Sequence, residues 1–563
     1  MATKKSYNQV LEHGFRTSRN FFRSDGILQH FIGKHFSDNG LAYMLEKWEK
    51  LGQQAAMHMD ALSLNADKKV PELIKRDSYG ETLNQVKFHP DYWELMQIAI
   101  DSEMFRVKWE PSLRTKFARE LHALGFVSGY LFSLGELSQY CPLCMTDGVA
   151  RLLDRYADKE DQERLLPHVY SQSVDIFFTG AMFLTEKAGG SDVGAGLVSA
   201  TAYQGGYYYL NGEKWFCSNV NAQIIFALGR TDISITGTKG LSIFLVEPNL
   251  PDGTRNPIEI VRLKDKLGVR SMASAECLMT NTLGKLVGEE FQGFAVMADM
   301  INLSRLYNSI AALSGSRRAL IEAYQFLSYR RTFGKKALEH ALIRDKLHEL
   351  GSLHVANFYL TWRAIKALDA ADNADKDEEE LLRLLTPMVK KWSAEKAVYI
   401  VRESMELMGG IGYIEDTVMP KIMRDVMVLP IWEGAGNIMI LDMLRASAKS
   451  KGLDLMLEQL EKWASEESDF QKQIKAEYEY LAATTTQLAS SDTTIREVTA
   501  KYFFERLTNL YQIGLLLEAQ DEISKAWIQP ALAFLISQLP EEDSQSRELP
   551  NQSKIEALMA WSF

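Results

Sequence analysis

Apolar residues return every three or four positions from about residue 25 to 170, as in GLAYMLEKWEKLGQQAAMHMDAL and LRTKFARELHALGFVSGYLFSLGEL. That is the period of helices with a buried face. From about 175 to 285 the pattern changes. SATAYQGGYYYLNGEKWFCSN reads as a hairpin turning at Gly205-Gly206, followed by the short apolar runs AQIIFALGR and LSIFLVEP. Strands at this spacing predict a small β-barrel or sandwich. After Gly284 the helical period resumes, with amphipathic stretches around 295–330, 342–370, 388–408 and 437–449. Pro387 falls inside one of them, so that helix either begins near it or kinks there. The acidic run Asp375 to Glu380 reads as a solvated loop between helices. The region from about 451 to 563 is helical again and poorer in motifs.

Helices, then strands, then helices, with no βαβ alternation, predict an α+β chain that is mainly α, and argue against a Rossmann domain. At 563 residues the chain is too long for one core. Four domains are expected: helical 1–175, β-barrel 176–285, four-helix-bundle 286–450 and a helical extension 451–563. No apolar run reaches the length of a membrane span. Met1 to Arg23 has scattered Lys and Arg but no apolar h-region, which argues against secretion; its few acids leave an organelle-targeting reading open beside a cytoplasmic one.

Four cysteines in this length argue against a disulfide framework. Cys141 and Cys144 form a C-x-x-C pair without the second pair a zinc ribbon needs, so they read as small buried residues near a helix start, and no metal site is expected. The net charge of −11 makes a phosphate-binding surface less favoured overall without excluding a local basic patch.

Five segments could carry chemistry. Phe183-Leu184-Thr185-Glu186-Lys187-Ala188-Gly189-Gly190-Ser191-Asp192 leaves a strand for a loop of glycines and hydroxyls, able to hold a phosphate or a ring carbonyl, or simply to turn. Asn211-Gly212-Glu213-Lys214-Trp215-Phe216-Cys217-Ser218-Asn219 reads as a hairpin strand with core aromatics. Tyr329-Arg330-Arg331-Thr332-Phe333-Gly334-Lys335 ends a helix, with Gly334 suited to stop it. Met405-Glu406-Leu407-Met408-Gly409-Gly410-Ile411-Gly412-Tyr413 closes another. Pro430-Ile431-Trp432-Glu433-Gly434-Ala435-Gly436-Asn437 sets a lone carboxylate among apolar groups. Burial there would raise its pKa and suit it to take a weakly acidic proton; a satisfied Glu near a helix N-terminus explains it nearly as well.

Together, in this order and at these separations, the five resemble the acyl-CoA dehydrogenase family over roughly residues 80 to 450. Lys187, VKFHPDYWELM, LKDKLGVRSMAS and WEGAGNIMILDMLR resemble its alkylation-response, AidB-type branch, and the tail beyond 450 is similar to that branch's extra helical domain. The resemblance implies FAD, an acyl-CoA substrate, an electron-transfer flavoprotein or similar acceptor, and a homo-oligomer, tetrameric or alternatively dimeric.

Carried over by position, Met182, Leu184 and Thr185 would line the flavin, with Thr185 hydrogen-bonding its ring. Gly190 and Ser191 would meet its pyrophosphate, or Ser191 the pantetheine arm. Phe216 and Ser218 would stack on the flavin and bond its edge. Arg330 and Phe333 would reach the flavin of a neighbouring subunit. Glu406, Gly409, Gly410 and Asn437 complete the cofactor set, and Arg305 and Gly434 would help hold the substrate. Glu433 matches the base; Ser304 occupies the alternative base position and cannot serve. Phe216 for Trp, Ser218 for Thr, Ala435 for Thr and Ala341 for Gln are departures that weaken cofactor contacts without removing the base. The implied reaction is removal of the α-proton by Glu433 and of the β-hydride by the flavin, giving a trans-2-enoyl-CoA.

Two other readings stay open: a flavin-containing acyl-CoA sequestering protein with little turnover, and a DNA-associated stress protein. From Lys451 to Phe563 there are about ten Lys and Arg against about nineteen Asp and Glu, which argues against nucleic acid. YFFERLTNLYQIGLLLEA reads instead as a helix packed on the body or on a partner subunit.

Overall fold

The computed structural model describes residues 20–250 and 252–540. Most of the Met1–Arg23 segment, and residues 541–563 of the extension, lie outside the described residues. Helices open the chain, among them α1 (Asp38–Met57), α2 (Leu121–Gly135) and α3 (Tyr140–Tyr156). The side chain of Ser37 caps α1 by accepting from the Gly40 N–H at 3.0 Å. Helix α2 is buried from Leu121 to Leu134, so its apolar residues run all round rather than in a stripe.

A hairpin, β1 (Glu72–Arg76) and β2 (Thr82–Lys87), interrupts the stretch whose period reads as helical. Its turn is closed by Asp77, which accepts from the N–H groups of Tyr79 and Glu81 at 2.8 and 2.9 Å, with Gly80 at φ +91°. Strands of five and six residues are too short to register against the flanking helices.

The middle region is a closed sheet. Its strands are β3 (Gly180–Phe183), β4 (Ser199–Ala202), β5 (Tyr207–Ser218), β6 (Ile224–Arg230), β7 (Leu241–Val246), β8 (Ile258–Leu263) and β9 (Ser274–Leu286). β4, β5, β9, β7 and β6 pair in a ring, β6 returning to β4, while β3 joins β6 and β8 joins β9. A barrel is therefore formed rather than a sandwich. β6 and β7 are buried at every position, which explains their unbroken apolar runs. Gly205 and Gly206, at φ +61° and +81°, make the β4–β5 turn where the sequence places it.

Helices then return: α4 (Gly293–Tyr329), α5 (Ala341–Asp372), α6 (Lys376–Met408), α7 (Met419–Val426) and α8 (Gly436–Lys449). Three readings change here. The acidic run is the start of α6: Asp375 caps it by accepting from the Glu378 N–H, and Asp377, Glu378 and Glu379 fill the first turn, where the helix dipole favours them. Pro387 lies inside that helix, which begins eleven residues earlier. Gly334 likewise does not stop α4, which ends at Tyr329 with Arg330 as its C-cap. At φ +83° it turns a small hairpin joining Arg331–Thr332 to Lys335–Lys336.

The extension adds α9 (Gly452–Ser465), α10 (Gln471–Ser490), α11 (Thr493–Ala519) and α12 (Lys525–Ser537). α11 buries Phe503, Phe504, Leu507, Tyr511 and Leu516, and Gln512 donates to Asn357 of α5 at 3.0 Å, so this helix packs on the body. No helix among the described residues is long and apolar enough to cross a membrane.

Gly514 lies where the Trp463 ring of α9 presses on α11, and a Cβ at 514 would overlap that ring. Gly514→Ala is expected to cost about 1–3 kcal/mol. Urea unfolding, with a probe on the extension, measures it; an unchanged midpoint would mean the two helices part freely.

Candidate active site

Between α7 and α8 the chain turns repeatedly from Met427 to Glu433, and Ala435 caps α8. Glu433 has φ +56° and Gly434 φ +104°. A left-handed conformation at a non-glycine residue costs about 1–3 kcal/mol unless the surroundings hold it. Here they do. Arg305 Nε, from α4, donates to the Glu433 carbonyl at 3.2 Å, and Lys390 Nζ, from α6, donates to the Gly434 carbonyl at 2.5 Å. Trp432 Nε1 donates to Asn308 Oδ1, also on α4, at 2.5 Å. The φ of Gly434 is one that side chains rarely adopt, so glycine suits the position, and a Cβ there would also have to displace the Met439 methyl.

Arg305 is itself held. Its NH1 pairs with Asp442 of α8 at 2.7 Å, and Arg383 takes the other oxygen of Asp442 at 2.6 Å. Burial works to raise the Asp442 carboxyl, but Arg305 and Arg383 outweigh it and hold the group below its ordinary value. The guanidinium of Arg305 is thus committed to the Glu433 turn.

The Glu433 side chain borders a mainly apolar cavity walled by Tyr140, Cys141, Cys144, Tyr307, Asn308 and Trp432 among others. The residue is half-buried: dense protein surrounds the carboxyl, which is reached through the cavity it lines. Burial pushes its pKa above the ordinary value of 4.5, and the Ser304 hydroxyl, Arg305 and Lys390 draw it part of the way back. Lys390, fully buried, is shifted down to about 8 by burial, against the pull of Glu433. Tyr307 is oriented by Asp147, which accepts its hydroxyl at 2.8 Å and pairs with Lys108 at 2.6 Å; neither Lys108 nor Asp147 exposes any side-chain surface. Such a pair is costly to break because either partner alone would be an uncompensated buried charge. Cys141 and Cys144 do stand at a helix start, as expected, and also face this cavity. Burial and the nearby Glu433 push the Cys141 thiol up to about 12, so it serves as apolar wall rather than as nucleophile.

A second surface adjoins the end of the barrel. Trp215 N–H donates to the Thr185 carbonyl at 2.9 Å, which ties the Met182–Thr185 strand end to the strand carrying Phe216 and Ser218. Phe216 is 55% exposed, although it sits in a strand. Lys264 lies over the Trp215 and Phe216 rings at 3.7 and 4.5 Å. The glycine loop is fixed from beneath by the buried pair Lys214–Glu186 at 2.7 Å, Glu186 also accepting from the Val198 N–H at 3.1 Å. Gly190 and Ser191 stand exposed on its crest.

The structure thus assembles Glu433, Gly434 and Arg305 at one place, and Met182, Leu184, Thr185, Phe216 and Ser218 at another. Arg330, Phe333, Glu406, Gly409 and Gly410 do not line the cavity. Phe333, 97% exposed, tips the small hairpin; Glu406 pairs with Arg402 at 2.8 Å on the surface; Gly409, at φ +63°, ends α6. Asn437 is exposed in the first turn of α8. Lys390, Asp442 and Asn308 escaped the sequence reading because a lone buried Lys, Asp or Asn on a long helix has no motif around it.

A helical–barrel–helical chain with the Glu433 carboxylate beside a mainly apolar cavity, and an exposed aromatic shelf, is the architecture of flavin-dependent oxidoreductases acting on acyl thioesters. Comparison agrees. Residues 8–176 match the adaptive response protein AidB N-terminal domain, 181–282 the acyl-CoA dehydrogenase middle domain and 292–448 the acyl-CoA dehydrogenase C-terminal domain. The protein AidB of Escherichia coli (strain K12) is 30% identical over 91% of this chain and 92% of its own. ACDH-11 of Caenorhabditis elegans, solved in complex with C11-CoA, is 25% identical with a TM-score of 0.85, covering 97% of each chain. An acyl-CoA dehydrogenase of Bacillus anthracis complexed with FAD shares the fold at 16% identity and a TM-score of 0.69, over 89% of this chain and 87% of its own. The chain belongs to the acyl-CoA dehydrogenase family, whose members are FAD-dependent oxidoreductases. The exposed Phe216 ring, the Thr185 hydroxyl, which bonds to no described residue, and the open crest at Gly190 suit the ring and phosphates of that cofactor.

The raised Glu433 carboxyl has a consequence for stability. Below pH 4.5 both folded and unfolded chains hold the proton; above it the unfolded chain ionises first, so the folded state loses stability until the pH passes the raised folded value. Glu433→Gln cannot ionise. It is expected to match the wild type near pH 4 and to exceed it near pH 8 in urea unfolding; an equal gain at both pH values would assign the effect to something other than ionisation.

Proposed function

We propose that the protein removes the α-proton and β-hydride of an acyl-CoA thioester, with Glu433 as base and a trans-2-enoyl-CoA as product. The observation that carries this reading is the carboxyl of Glu433, raised by burial and facing an apolar cavity. A free carboxylate is too weak a base for a thioester α-carbon; the barrier falls only where donors meet the developing enolate oxygen. The backbone N–H of Glu433 donates to no acceptor among the described residues and is suited to that oxygen. Arg305 and Lys390 keep the turn that presents it, and Lys390 also keeps a positive charge near the carboxylate. FAD bound on the Thr185–Phe216–Ser218 shelf supplies the acceptor for the hydride.

The acyl chain lies in the cavity against Tyr140, Cys144 and Tyr307, and the glycine crest with Ser191 meets the phosphate-bearing parts of the ligands. Electrons leave to an electron-transfer flavoprotein or a similar carrier. All four cysteines are unpaired, which suits the reducing cytoplasm. The alternative, an acyl-CoA sequestering protein with little turnover, draws on Phe216 and Ala435, which give the cofactor less surface and one hydroxyl fewer than the family pattern.

Anaerobic titration of the yellow protein with saturated acyl-CoAs of increasing length separates the two. Loss of the flavin colour at one range of chain lengths is expected. Tight binding without bleaching would establish sequestration instead. Glu433→Gln should slow bleaching by about 10²–10⁴-fold with flavin still bound; full activity in that variant would remove Glu433 as the base.

The nearly bare Phe333 ring, in a segment where Tyr329 and Leu342 are exposed too, is proposed as a subunit contact. Phe333→Asp is expected to lower the oligomeric state in light scattering, and an unchanged mass would place the contact elsewhere.

A further inference from the structure

Lys266 lies in the loop between β8 and β9, in the segment LKDKLGVRSMAS, where no catalytic part is assigned to it. Its ammonium donates to the Met272 carbonyl at 2.6 Å and to the Ser274 hydroxyl at 3.2 Å. Ser274 and Ser218 face each other across the β5–β9 ladder, their hydroxyl oxygens 3.2 Å apart. Lysine, serine and serine therefore form a continuous polar chain, and its far end is the shelf assigned above to the flavin edge.

Such a chain has a direction. An ammonium can only donate. While Lys266 is charged, it occupies a lone pair of Ser274 and leaves the Ser274 proton for Ser218, whose own proton then points outward. Once neutral, the amine can accept, the chain can reverse, and Ser218 presents lone pairs instead.

We propose that Lys266 is a positioning residue for the redox step: acting through Ser274, it holds Ser218 as a hydrogen-bond donor toward the flavin edge and so favours the reduced, electron-rich cofactor. The inference rests on the Ser218 assignment and deepens it. Hydrogen bonds that favour the form with more negative charge shift an equilibrium toward it, and more strongly where water is scarce.

The surroundings make the chain adjustable. Burial, helped by Arg270 and opposed by Cys141 of α3 and Asp425 of α7, brings Lys266 down to about 8. Asp425 is occupied by Lys421 at 2.6 Å and by the Val269 N–H at 2.6 Å, so it leaves Lys266 without a carboxylate of its own. A lysine in this position changes charge within a pH range in which the enzyme can be assayed.

The test is the midpoint potential of the bound flavin, measured by equilibration with reference dyes from pH 6 to 10, for wild type, Lys266→Met, Ser274→Ala and Ser218→Ala. Each variant is expected to lie below the wild type at pH 7. The Lys266→Met difference should shrink above about pH 8 as the wild-type lysine loses its proton, and the Lys266→Met/Ser274→Ala double variant should fall no further than either single one. Lys266→Arg should keep the wild-type potential and lose the alkaline step. If Lys266→Met does not fold, Ser274→Ala carries the test alone, because it breaks the chain while keeping the charge. A drop only in Ser218→Ala would overturn the relay and leave the shelf assignment standing. No drop in any variant would overturn both.

Discussion

Two buried cations donate to consecutive carbonyls, Arg305 to Glu433 and Lys390 to Gly434, and the active geometry depends on that pair of bonds. Without them a glutamate would not keep φ +56° next to a glycine at φ +104°, and its carboxyl would turn toward water. The same cations moderate its ionisation. Burial favours the protonated, non-basic form, and Ser304, Arg305 and Lys390 draw the carboxyl part of the way back. Full pairing with an arginine would make it too weak. Holding the cations on the carbonyls keeps them close enough to act through space without neutralising the side chain.

This arrangement places polar groups deep in a helical core, where each must be satisfied. Helix α4 carries Ser304, Arg305 and Asn308 on adjoining positions, and these meet residues from α8 and the turn before it, while Lys390 reaches in from α6. The site therefore exists only when these elements are docked together. An isolated turn with the sequence IWEGAGN would have neither the strain nor the shifted carboxyl. Helix α3 supplies the other wall, where the small side chains of Cys141 and Cys144 leave room beside Glu433.

Much of the architecture was readable because it follows from period and punctuation. The long helices, the Gly205-Gly206 hairpin and the apolar runs of β6 and β7 each leave a local signature. Where reading failed, a local rule had two solutions. The acidic run after Ala374 suits solvent and suits a helix N-terminus equally; the dipole and the Asp375 cap decided for the helix. The β1–β2 hairpin left no trace because Asp77 and Gly80 close it within a few residues between strong helices. The Cys141–Cys144 pair was read correctly as packing, but that the packing forms a cavity wall could not be seen.

What the sequence by itself determined was the kind and order of elements, the glycine turns, and the five segments whose spacing marks the family. These depend on neighbours within a few positions, so they survive without knowledge of the fold. Only the tertiary structure decided what Glu433 is as an acid. Its pKa depends on burial and on partners far away in sequence: the Arg305 bond spans 128 residues and the Lys390 bond crosses from another helix. The polar chain from Lys266 to Ser218 belongs to the same class, because strand register across the barrel sets it rather than any run of residues. Electrostatics and cavity shape are sums over three-dimensional neighbours, and the linear order does not contain those distances.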